Sequence, residues 1–164
     1  MLKQKSAAFF VLAVQFMQLF SDSKEDYVGI AVAIGVYYAI RDDYCNIFNQ
    51  QALKTLAEDS SKLDSVDIPD NDITEGKFTL PTIHAMQNTD NFKQIFNILK
   101  QRTKNIELIR YCTTLLEKSG SAAYTEDVLR RLEEDIYKEI SRLGENPILT
   151  GLMKQLGDWK RSSI

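Results

Sequence analysis

The sequence predicts an all-α protein. Three observations carry this: only seven glycines and three prolines punctuate 164 residues, apolar residues recur three and four apart over long stretches, and no segment alternates apolar with polar as a half-buried strand would. The length suits one domain, or one large piece of one, and can bury a substantial core.

Taken in order, a first helix is expected from about Lys3 to Phe20. Its run AAFFVLAVQFMQLF follows two lysines and has the outline of a secretory signal, but Gln15 and Gln18 interrupt it and no A-x-A-like cleavage site follows. It reads instead as a helix of a cytoplasmic protein. Phe9, Phe10, Val11, Leu12, Val14, Phe16, Met17, Leu19 and Phe20 cover nearly all its faces. Left uncovered, such a surface should self-associate or recruit a partner.

SDSKED, residues 21 to 26, offers capping and acidic first-turn residues to a second helix, about Glu25 to Phe48. Tyr27 to Ile40 carries no charge, so this helix should be largely buried. Neither apolar run reaches the ~20 residues that a bilayer crossing needs, so no transmembrane segment is expected. From Gln51 a helical turn at ALKTLAED is possible, and the polar, acidic SSKLDSVDIPDND after it reads as a mobile loop.

Pro81 suits the first turn of a third helix, with Thr79 or Leu80 before it. Helices follow at about Asn91 to Arg102, Asn105 to Lys118 and Thr125 to Leu143, with Gly120 and Gly144 placed as left-handed C-terminal caps. The last is expected from Pro147 to Trp159, with Asn146 as N-cap.

Composition narrows the function classes. The formal net charge is −3 and no basic stretch could track a phosphate backbone, which argues against nucleic acid as a partner. Cys45 and Cys112 lie in apolar helical patterns without CxxC spacing and read as reduced core thiols. Glu133, Glu134 and Asp135 sit at ion-pair spacings from Arg130, Arg131 and Lys138, as on a solvated helix face. His84, the single histidine, has no nucleophile signature beside it and reads as structural or as a support behind the site residues. Tyr37, Tyr38 and Trp159 read as core or cavity lining, since no basic patch surrounds them.

Two places could carry chemistry. In YYAIRDDYCNIF, residues 37 to 48, Asp42 and Asn46 share a helix face with Tyr38 one turn earlier, and Asp43 lies about 100° round. Two carboxylates and an amide at the polar end of a buried helix suit Mg²⁺, which takes oxygen ligands and completes its shell with water and phosphate. The same residues equally suit a solvated helix end with Arg41 paired to a neighbouring acid. In TEGKFTLPT, residues 74 to 82, Lys77 follows a glycine in a loop leading into a helix. Its ammonium could serve a phosphate, or simply be exposed.

The ordered set KSAAFFVLAVQFMQLFSD, YYAIRDDYCNIF, TEGKFTLPTIHA, ILKQRT and GSAAYT resembles the C-terminal half of eukaryotic geranylgeranyl diphosphate synthases, which are trans-prenyltransferases. The resemblance covers nearly the whole chain, residues 1–164. It implies an all-α helical bundle of the isoprenoid synthase type, incomplete because the N-terminal half has no counterpart. It also implies condensation of an allylic diphosphate, farnesyl diphosphate, with isopentenyl diphosphate in isoprenoid biosynthesis, with Mg²⁺ as cofactor. By the same carry-over Asp42, Asp43 and Asn46 would hold the metal, Asp42, Asp43 and Lys77 would be catalytic, and Lys5, Ser6, Lys54 and Lys77 would contact the substrate diphosphate.

Three departures from the family pattern accompany it. Ala39 stands where the family has glutamine, residues 60–71 look inserted between KTLAED and TEGK, and the first aspartate-rich motif is missing. The isolated chain is therefore expected to be weakly active or inactive. Its expected partners are copies of itself or a full-length synthase, and the alternative is a non-catalytic partner or regulatory subunit docked on such a synthase.

Overall fold

The computed structural model describes residues 7–48 and 71–158. Lys5, Ser6, Lys54, Trp159, the possible turn at ALKTLAED and residues 60–70 of the expected insertion lie outside that set. Among the described residues there are seven α-helices and no strand: α1 Ala7–Gln18, α2 Val28–Phe48, α3 Leu80–Asn88, α4 Phe92–Gln101, α5 Ile106–Lys118, α6 Ser121–Arg142 and α7 Pro147–Leu156. No described helix is long and apolar enough to cross a membrane. The chain divides into two compact units, one of residues 1–42 and 127–164, the other of residues 43–126.

In the first unit, α2 starts where Asp26 Oδ1 accepts from the Val28 backbone N–H at 2.9 Å, satisfying a donor that the first turn leaves open. Ile30, Ile34, Tyr37 and Ile40 recur three and four apart and are all buried, as are Leu129, Ile136 and Ile140 of α6 and Met153 of α7. Gly35 sits where the first turn of α1 comes closest: a Cβ there would lie 2.6 Å from the Ala7 Cα. Only hydrogen fits, so this glycine sets the helix separation.

The second unit is built from α3, α4 and α5 together with Ile47 at the end of α2 and Ile73 of the connecting loop. Ile95, Ile98 and Leu99 of α4 meet Ile106, Ile109, Cys112, Leu115 and Leu116 of α5, with Ala85 of α3. Fully burying an Ile or Leu side chain contributes about 1.5–3 kcal/mol, so this cluster is the unit's main source of stability. Its helix ends are capped by side chains: Asn105 Oδ1 accepts from the Glu107 and Leu108 N–H groups at 2.9 and 3.1 Å. Thr79 is the N-cap of α3, and Thr82 Oγ accepts from the Thr79 N–H at 2.8 Å.

Among the described residues, helix boundaries agree with the sequence reading within a few residues, and the start of α6 shows a larger difference. α6 starts at Ser121, four residues before the expected Thr125, because Gly120 takes positive φ and α6 begins directly after it. Ser121 and Thr125 are both buried, and Thr125 Oγ donates to the Ser121 carbonyl at 2.8 Å.

Candidate functional site

α2 runs without a break through Asp42, Asp43 and Asn46, so these side chains emerge from the last two turns of a helix whose earlier turns are buried. Asp42 is exposed, while Asp43 and Asn46 are half-buried. None of the three is free of partners. Between them Tyr44 is buried, and its hydroxyl donates to Glu126 Oε1 on α6 at 2.5 Å. A hydrogen bond to a carboxylate is among the stronger kinds, so Tyr44 and Glu126 fix the end of the helix from which Asp43 and Asn46 project. Tyr44 also packs on Phe48, with ring centroids 4.9 Å apart. Glu126 carried no signal in the sequence, because its partner is 82 positions away.

The donor set at this helix end is oxygen only, which suits Mg²⁺. Among the described residues no three His, Cys, Asp or Glu side chains converge as a metal site. The helix end offers two carboxylates and an amide, each of which already has interaction partners.

The loop before α3 is ordered by its own polar groups. Asn71 Oδ1 accepts from the N–H groups of Ile73 and Thr74, each at 2.9 Å, and the Lys77 N–H donates to the Asp72 carbonyl at 2.8 Å. Asn71 closes the segment expected to be a mobile insertion, yet it is buried. Gly76 has φ +67°, and a Cβ on it would lie 2.5 Å from the Leu99 carbonyl oxygen. Glycine is required there on both counts.

The result is a fixed seat for Lys77. Its ammonium lies 2.9 Å from Asp72 Oδ1 and 2.8 Å from Glu75 Oε2. Hydrogen bonds to Glu75 and then Asp72, with their negative charge, raise the Lys77 pKa above its ordinary 10.5 despite partial burial. The sequence reading left Lys77 either a phosphate ligand or an exposed loop lysine; the structure gives it two carboxylate partners that spacing alone did not reveal.

His84 belongs to the scaffold. Its ring stacks on Tyr124 at 4.1 Å and 15°, and Nδ1 lies 2.9 Å from Ser121 Oγ. Ser121 Oγ lies 2.7 Å from Ser119 Oγ, which donates to the Leu116 carbonyl at 2.7 Å. With the Ser119 proton used on that carbonyl, Ser121 must donate to Ser119, and the hydrogen of the third bond comes from Nδ1. In the acidic run Lys138 pairs with Asp135 at 3.0 Å, and Arg130 and Arg131 pair with Asp127 one turn earlier.

An apolar cavity of about 400 Å³ opens in the first unit, lined among others by Phe10, Val14 and Met17 of α1, Ile30 and Ile34 of α2 and Leu149 of α7. Tyr38 stands one turn beyond Ile34 and packs on Phe10, centroids 6.1 Å apart. Ile34, Tyr38 and Asp42 thus form one stripe along α2, with the cavity at one end and a carboxylate at the other.

Residues 1–116 match the polyprenyl synthetase family. Among curated proteins the chain is 40% identical to a terpene synthase of Matsumurasca onukii, over 97% of this chain and 49% of that protein. It is 35% identical to geranylgeranyl pyrophosphate synthases of Dictyostelium discoideum and of Mucor circinelloides f. lusitanicus, over 95% and 91% of this chain and 48% and 46% of theirs. The chain spans about half the length of the curated relatives it matches.

Proposed function

This chain belongs to the polyprenyl synthetase family, and on that premise we propose that it holds the allylic diphosphate in a prenyl-transfer reaction. The reaction is of the geranylgeranyl diphosphate synthase kind, joining farnesyl diphosphate to isopentenyl diphosphate. The observation that carries the reading is the stripe on α2, where Asp42 follows Tyr38 and Ile34 at successive turns. Ile34 and Asp42 are roughly 12 Å apart at 1.5 Å per residue, a span suited to a molecule with a polar head and a long hydrocarbon tail.

Asp42, Asp43 and Asn46 would hold Mg²⁺, which when bound supplies positive charge to the diphosphate leaving group. By the family resemblance Lys5, Ser6, Lys54 and Lys77 would contact the substrate diphosphate. Breaking the allylic C–O bond leaves the electron pair on the diphosphate and a cation on the carbon. Donors placed beforehand around the developing anion lower that barrier. Phe10, Val14, Met17 and Ile34 would surround the hydrocarbon tail. The double bond of isopentenyl diphosphate then attacks, and a proton leaves the new unit.

A second reading, a non-catalytic partner of a full-length synthase, is favoured by α1 and the turn after it, where Phe9 is 79% exposed and Phe20 82%. The test that separates the two is incorporation of labelled isopentenyl diphosphate into extractable product, with farnesyl diphosphate, Mg²⁺ and the purified chain. Product that disappears in the Asp42→Ala, Asp43→Ala double variant supports the catalytic reading. No product, with stimulation or inhibition of an added full-length synthase, supports the partner. Product that survives the double variant contradicts the role given to the aspartates.

A further inference from the structure

Lys77 is seated in a way that its proposed role does not explain. One ammonium faces two carboxylates, Asp72 and Glu75, so the cluster carries a net charge of −1. An approaching diphosphate would meet a lysine whose charge is already more than cancelled.

The two carboxylates are not equivalent. The Asp72 side chain is 1% exposed, and its Oδ2 is buried without a hydrogen-bond partner. Removing Lys77 from Asp72 would leave a buried charge uncompensated, which is strongly unfavourable. The Lys77 backbone N–H is bonded to the Asp72 carbonyl at 2.8 Å as well, so anchor and lysine are joined twice. Glu75 is 46% exposed and reaches the ammonium from the solvent side. Water can replace its contact at little cost, as at other exposed ion pairs.

We infer that Glu75 is a displaceable placeholder on Lys77: a diphosphate takes over its position on the ammonium while the buried Asp72 keeps its bond and fixes the lysine. This rests on the reading of Lys77 as a diphosphate ligand and adds the exchange by which the ligand site opens. In the diphosphate-free state Glu75 orders the lysine, whose flexible four-carbon stem would otherwise have to be immobilised on binding.

The experiment uses the whole chain and inorganic diphosphate with Mg²⁺. Trace acylation of lysines, read by mass spectrometry of the Lys77 peptide, reports both the Glu75 contact and protection by diphosphate. In Glu75→Gln, Lys77 should acylate faster without diphosphate, and the half-protecting diphosphate concentration should fall about two- to fivefold, the range expected for an exposed ion pair. Glu117→Gln removes the same charge from an exposed site on α5 and should leave both quantities unchanged. If diphosphate protects Lys77 equally well in wild type and Glu75→Gln, or if Glu117→Gln has the same effect, the placeholder is wrong and the diphosphate reading stands. If diphosphate protects Lys77 in neither protein, both fall.

Discussion

Lys77 and Gly76 show how a single residue can be readable in kind and unreadable in setting. The GK pair in a loop before a helix identified a lysine able to meet an anion, but not the carboxylates around it. Because those neighbours raise the Lys77 pKa, its favourable interactions are complete below pH 10.5 and are lost only as pH rises further, through the folded-state value. Lys77 should therefore resist amine labelling at pH 10.5, where an ordinary lysine is half deprotonated; labelling at the average lysine rate would contradict this. Gly76→Ala forces a Cβ against the Leu99 carbonyl in a left-handed backbone, and should cost about 1–3 kcal/mol in chemical denaturation. Cys112 matched its expectation as a core thiol: burial pushes its pKa up to about 12. It should stay unmodified by iodoacetamide at pH 8 until the chain unfolds.

At the level of elements the sequence was most legible where helix ends carry their own signals. Asn146 before Pro147 marks the start of α7, and Asn146 Oδ1 accepts from the Ile148 and Leu149 N–H groups at 3.0 and 3.1 Å. Asn146→Ala should lower stability by about 0.5–2 kcal/mol in thermal or urea unfolding; no change would show that α7 does not depend on its cap. The start of α6 was harder to place because Ser121 resembles a loop residue, and its burial against His84, distant in sequence, overrides that preference. The DDYCN segment was legible as a cluster of oxygen donors. Its fixation by Tyr44 and Glu126 was not, since a hydrogen bond across 82 positions leaves no periodicity to read.

For the whole molecule, the all-α class and the family were both legible, the first from periodicity and the second from five motifs in order. α1 and the turn after it leave a large apolar surface uncovered: Phe9, Leu12, Phe16, Leu19 and Phe20 are all more than 60% exposed. Apolar exposure on this scale favours association, so the purified chain should scatter light as more than one copy, and Phe9→Ser with Phe16→Ser should reduce that association without unfolding α2. The polar end of α2 is tested most directly by calorimetric titration of the chain with farnesyl diphosphate, with and without Mg²⁺. Binding should require Mg²⁺ and be lost in the Asp42→Ala, Asp43→Ala variant. Binding of equal strength without the metal, or in the double variant, would contradict the assignment of Asp42 and Asp43 as the residues that hold the diphosphate through Mg²⁺.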